Sequence, residues 1–203
     1  MGAVLSLDTL LAQRRLWRGQ PRGQAQTACE PTGHAALDAA LPAGGWPEAA
    51  LVEVLLPADG LGELRLVLPT LARHTGAGRD IALVAPPYVP NPLAWRAAGV
   101  DTARLHLVSA DARDALWATE QCLRAGCLSA VLCWPQKVDD RALRRLQVAA
   151  ESGQALVFAF RDARAAAQPS PAALRLQLAP GQLQVLKCRG GLAPVHPVPF
   201  PLH

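Results

Sequence analysis

The chain has 203 residues, 51% of them hydrophobic and 18% charged, with a net charge of +4. Apolar residues are too plentiful and the net charge too small for a disordered chain. No uncharged apolar run reaches the roughly 18 residues of a membrane span, so one water-facing domain with short appendages is expected.

The first segment, Ser6 to Trp17, reads as a helix. Ser6 suits the N-cap and Asp8 the first turn. Leu7, Leu10, Leu11 and Trp17 fall near one face, with Arg14 among them. Gly19 to Gln24 then reads as a linker. A short helix beyond a linker cannot bury its own stripe, so it is expected to dock on the domain or on a partner. From about residue 50, short apolar runs alternate with helical patterns. Strands are predicted over Leu51–Leu56, Ile81–Ala85, Leu105–Val108, Ala130–Trp134 and Ala155–Phe160. Helices are predicted over Gly62–His74, Leu93–Ala98, Asp111–Ala125 and Asp139–Glu151. Nearly continuous Val, Leu, Ile and Ala in the strands calls for cover on both faces, which βα repetition supplies. The expected fold is α/β, a doubly wound and mostly parallel sheet. Leu174–Leu178, the turn Ala179-Pro180-Gly181 and Leu183–Arg189 predict a C-terminal antiparallel hairpin. Prolines at 194, 197, 199 and 201 make the end an extended tail, neither helix nor central strand. The expected organisation is a leading helix and linker over 1–30, a core over 31–190 and a Pro-rich tail over 191–203.

Charge is unevenly placed. Residues 1–28 carry Arg14, Arg15, Arg18 and Arg22 against Asp8; residues 161–203 carry Arg161, Arg164, Arg175, Lys187 and Arg189 against Asp162. The middle is net acidic. Basic ends suit nucleic acid or an acidic protein surface, or serve solubility alone. The five cysteines, Cys29, Cys122, Cys127, Cys133 and Cys188, form no CxxC pair, so no zinc site is expected. Their loose spacing suits free thiols in a reducing cytoplasm, and Met1 to Leu11 lacks the basic start of a secretory leader. Five histidines show no ligand spacing, no serine sits in a nucleophile elbow, and Asp139-Asp140 reads as a helix start rather than a metal site. Trp95, Trp117 and Trp134 read as core or partner anchors.

In such a sheet, ligands bind beyond the C-terminal strand ends. There the first strand leads into Pro57-Ala58-Asp59-Gly60-Leu61-Gly62-Glu63-Leu64, the place for a phosphate loop. A working loop needs Lys for the β- and γ-phosphates and Ser or Thr for Mg²⁺. After Gly60 and Gly62, those slots hold Glu63 and Leu64. A carboxylate about 4 Å from a like charge costs roughly 4 kcal/mol at an effective dielectric near 20, so ordinary ATP binding is not expected.

The chain resembles the RecA family core. Thr32-Gly33, Leu37-Asp38, Leu41 and Gly44-Gly45-Trp46-Pro47 are similar to that family's lead-in, and Asp80 to the turn Gly99-Val100-Asp101 is similar to its next strand, helix and turn. The likeness runs over about 31–190. It implies a RecA-like sheet, yet the family's ATPase groups do not carry over. The Walker lysine falls on Glu63, the catalytic glutamate on Pro87 and the Walker B aspartate on Trp134. With them go phosphate neutralisation, water activation and metal binding, so no catalytic residue, cofactor or metal is expected. Lys187-Cys188-Arg189 matches the pair that in filaments reaches ATP on a neighbouring protomer. Strand alternation puts both cations on one face, where they also suit a guarded sheet edge.

Within the superfamily, the tracts Asp114–Arg124, Ala130–Pro135, Asp139–Gln147, Ser170–Leu174 and Lys187–Gly191 resemble the ImuA family. That resemblance implies a non-enzymatic, cytoplasmic accessory of SOS-induced translesion synthesis. Its partners would be ImuB, an inactive Y-family polymerase homologue, an error-prone DnaE-type polymerase complex and RecA, with DNA contact open. Leu7, Leu10, Leu11, Arg14, Trp17, Lys187 and Arg189 would carry the contacts. The alternative from the same branch is a SulA-type inhibitor of FtsZ.

Overall fold

The structure is a computed structural model that describes residues 29–136 and 138–201. The helix expected on Leu7, Leu10, Leu11, Arg14 and Trp17 lies outside the described residues.

A two-residue ribbon opens the domain: β1 (Cys29–Glu30) pairs antiparallel with β2 (Trp46–Pro47) around helix α1 (Ala35–Ala40). The main elements follow as β3 (Leu51–Leu56), α2 (Leu64–Gly76), β4 (Asp80–Val84), α3 (Pro92–Ala97), β5 (Leu105–Val108), α4 (Ala115–Arg124), β6 (Leu128–Cys133), α5 (Asp140–Gly153) and β7 (Leu156–Asp162). Then come β8 (Leu174–Ala179), β9 (Gln182–Cys188) and β10 (Val198–Pro199). One eight-stranded sheet has the order β10-β9-β8-β3-β7-β6-β4-β5. It is parallel from β8 to β5 and antiparallel across β8-β9-β10. The predicted doubly wound sheet and its C-terminal hairpin are both present.

The sheet is covered on both faces because its central strands are nearly continuous apolar runs; β3 is buried along its whole length, Glu53 included. On one face Val52, Val54, Leu83, Leu132 and Phe158 meet Leu66, Val67 and Leu71 of α2 and Trp95 of α3. Trp46 is fully buried there, its ring edge-on to Phe158 and its Nε1 donating to Thr70 Oγ1 at 2.8 Å. On the other face Val131, Val157 and Ala159 meet Ala118 and Leu123 of α4 and Leu143, Leu146 and Ala150 of α5. The two helices close tightly at Gly153, where an added Cβ would lie 1.8 Å from Leu123 O.

The helix starts follow their caps. Asn91 Oδ1 accepts from Leu93 N–H ahead of α3, and Asp139 Oδ1 accepts from Ala142 N–H at 2.7 Å ahead of α5. Asp139-Asp140 is thus a helix start, with Asp140 paired to Arg144 at 2.7 Å. The Pro-rich end does more than trail: β10 pairs with β9, and Val198 and Phe200 are buried against the α2 face. Among the described residues no helix is long and apolar enough to cross a membrane.

Candidate functional site

The C-terminal ends of β3, β4, β6 and β7 point to one side of the molecule, and the loop of residues 57–63 lies there. Gly60 and Gly62 hold φ of +79° and +86°, the left-handed region in which glycine is unstrained. Glu63, next in the chain, is only 4% exposed. Its Oε1 accepts from Gly60 N–H at 3.2 Å, while Oε2 is buried with no partner. Leu64 begins α2 and packs at the edge of the core. The loop therefore presents a carboxylate to its own backbone.

Pro87 and Trp134, where the resemblance places the catalytic glutamate and the Walker B aspartate, line one cavity of about 170 Å³ with Ala85, Ala110, Ala115 and Gln136. Trp134 is buried, stacked on Phe160 at 5.1 Å, and its Nε1 has no hydrogen-bond partner. Among the described residues that line it there is no carboxylate. Among the described residues no group of three or more His, Cys, Asp or Glu side chains is disposed to hold a metal ion.

A larger cleft of about 730 Å³ opens beyond β6 and β7, between the start of α5 and the segment after β7. Arg145, Arg161 and Arg164 line it, together with Asp139 and Asp162. Among the described residues its cations are engaged. Arg164 donates to both oxygens of Asp162, at 2.9 and 2.7 Å, and these hydrogen bonds hold the Asp162 carboxyl down at about 2. Arg145 approaches Glu120 at 3.5 Å. Arg161 is buried and donates through Nη1 to Glu53 Oε1.

Glu53 was not legible as a special residue, because it sits in the apolar run of β3. It is fully buried between Arg161 of β7 and Arg175 of β8. Arg175 Nε lies 2.8 Å from Oε2, an ion pair of charge rather than an aligned hydrogen bond. Its other nitrogens donate to Gln168 O at 3.0 Å and Ala165 O at 2.8 Å. Two of the five cations that make the C-terminal segment look basic are therefore buried inside the protein against one shared carboxylate.

Lys187 and Arg189 lie on the α5 side of the hairpin, while Cys188 between them packs toward the opposite face, as alternation requires. Lys187 Nζ donates to Ser170 O at 2.7 Å, and Arg189 stands 3.5 Å from Glu151. Burial first, then the charges of Arg175 and Arg189, hold the Lys187 ammonium below its ordinary value. Of the three tryptophans expected as core or partner anchors, Trp95 and Trp134 are core and Trp117 is 64% exposed on α4.

No family model matches the sequence. Over 131 residues the chain is 32% identical to Protein RecA of Salinispora arenicola, which covers 64% of this chain and 37% of that protein. Over 167 residues it is 30% identical to Protein RecA of Bartonella henselae, covering 77% of this chain and 46% of that protein. The chain is RecA-like. The RecA-like chain spans less than half the length of these curated relatives. Among solved structures it is similar to SulA from Pseudomonas aeruginosa, at 29% identity and a TM-score of 0.46, over 54% of this chain and 96% of that one. The RecA-like sheet thus carries, at its strand ends, Glu63, Pro87 and Trp134 where the resemblance to RecA calls for a lysine, a glutamate and an aspartate.

Proposed function

We propose that this RecA-like chain is a non-enzymatic accessory of SOS-induced error-prone translesion synthesis, a domain that has exchanged nucleotide chemistry for protein binding. The observation that carries the reading is the cavity of Pro87 and Trp134. It occupies the place of a catalytic centre yet is lined by apolar groups and one glutamine. Phosphoryl transfer needs a positioned water, a metal and a phosphate-neutralising cation. Glu63 opposes the last, and nothing in the cavity supplies the first two. The partners in this reading are an ImuB-type inactive polymerase homologue, the error-prone DnaE-type polymerase complex and RecA. Lys187 and Arg189 are the described residues expected to face one of them.

Two measurements test it. Isothermal titration with ATP and Mg²⁺ should give no binding heat at millimolar nucleotide, and hydrolysis that survives contaminant controls would overturn the non-enzymatic reading. Co-purification against an ImuB-type homologue and FtsZ as parallel baits should retain the former. Retention of FtsZ alone would assign the chain to cell-division inhibition instead.

A further inference from the structure

Loss of ATP chemistry does not by itself require an acidic residue at position 63; alanine or leucine would serve. The glutamate is instead built in. Its residue is 4% exposed, one carboxylate oxygen accepts from Gly60 N–H at 3.2 Å, and the other is buried with no partner. It stands at the N-cap of α2, a 13-residue helix whose N-terminal dipole favours negative charge, though its side chain bonds none of the helix's own N–H groups. The loop ahead of it turns through left-handed glycines at 60 and 62, a geometry that gathers backbone N–H groups into an anion-binding concavity. Tyr88 closes over Gly60, its ring edge 3.9 Å from where a Cβ would sit.

We propose that Glu63 is a resident anion. Its carboxylate fills, within the same chain, the place where the loop and the helix N-terminus would take a phosphate group, and it holds residues 57–63 closed whatever nucleotide is present. This rests on the reading of the loop as a lapsed phosphate loop. It adds that the site is occupied rather than merely disabled, so the domain stays in one conformation without a nucleotide to set it. The bland rival is an ordinary N-cap turn, in which the glutamate, itself the N-cap of α2, reaches back three residues only to tie off the Gly60 N–H. The two differ in one respect: a vacated anion site accepts a phosphate, and a vacated cap does not.

Hydrogen exchange at the Gly60 amide in the full chain separates them. Glu63→Ala should speed exchange at least about tenfold, the shift expected when one charge-assisted hydrogen bond is lost. Millimolar inorganic pyrophosphate should then slow it again in the variant and leave wild type unchanged. Unaltered exchange in Glu63→Ala, or faster exchange that pyrophosphate does not reverse, overturns the proposal, the second result making Glu63 a helix cap. Pyrophosphate protection of wild type overturns it too. If Glu63→Ala does not fold, Glu63→Gln removes the charge at constant shape and the same outcomes decide. ATP with Mg²⁺ slowing the wild-type Gly60 amide would instead sink the underlying non-nucleotide reading, so the two failures are distinct.

Discussion

Replacing Glu53 by alanine removes the carboxylate between Arg161 and Arg175, whose side chains are 6% and 7% exposed. Both guanidinium groups would stay buried with carbonyl and amide partners but no counter-charge. Breaking a buried ion pair from one side costs about 3–5 kcal/mol. A domain of this size is stable by roughly 5–15 kcal/mol, so the variant should lose about a fifth of its margin or more. At about 2–4 °C per kcal/mol, its melting point should fall by roughly 6–20 °C. Urea unfolding followed by fluorescence of the buried Trp46 and Trp95 measures the loss directly. Replacing all three charged residues by Met or Leu should recover most of it, since a well-packed apolar substitute for a buried triad is often neutral or better. A loss below about 1 kcal/mol for Glu53→Ala, the range of a surface pair, would refute the reasoning.

Burial pushes the Glu30 carboxyl up, but hydrogen bonds and charge from His74 and Arg73 outweigh it and hold it below its ordinary value. Its stabilisation is therefore present at neutral pH and lost as pH falls through that lowered value; Glu30→Gln should be less stable than wild type at pH 7 and equal to it in strong acid, by thermal melts across pH. Burial drives the Cys133 thiol up to about 12, so alkylation followed by mass spectrometry should label the exposed Cys29 and Cys127 in the native protein and Cys133 only after denaturation. Lys187→Ala with Arg189→Ala should weaken binding to ATP-loaded RecA filaments while leaving an ImuB-type partner bound; equal titration curves for wild type and double mutant against growing filaments would reduce the pair to edge charge. Leu10→Asp with Leu11→Asp should leave the 31–190 fold intact by circular dichroism and weaken partner association more than tenfold, since each buried leucine is worth roughly 1.5–3 kcal/mol.

The sheet was legible because its strands are apolar runs ended by turn residues. Leu51–Leu56 stops at Pro57 in sequence and structure alike. The sequence pattern ends the fifth strand of the βα alternation at Phe160, yet β7 continues to Asp162, because Glu53 accommodates the charge of Arg161 inside the sheet. That pairing joins residues 108 apart in sequence, and no local spacing announces it. The ribbon of β1 and β2 is too short to show a period. The closing strand β10 was hidden by its prolines, which forbid a central strand but not an edge. At the site, the residues missing from the ATPase set were readable one by one. Reading them did not reveal that Glu63 turns back on Gly60, or that Pro87 and Trp134 share a cavity, because both depend on where three strand ends converge.

The two edges of the sheet differ in a way that gives the molecule a polarity. At β10, Phe200 N–H turns inward to Gly181 O at 2.9 Å, so by alternation the nitrogen facing outward is that of Pro199, which has no hydrogen to donate. A strand from another molecule finds no donor there. At β5 the outer backbone is free of such a block, and His106 and Leu107 are both more than half exposed. Templated growth of the sheet, whether as a specific docking event or as misassembly at high concentration, is therefore one-sided. Crowded or partly unfolded preparations should associate through the β5 margin, and a proline placed at Leu107 would leave both margins sealed.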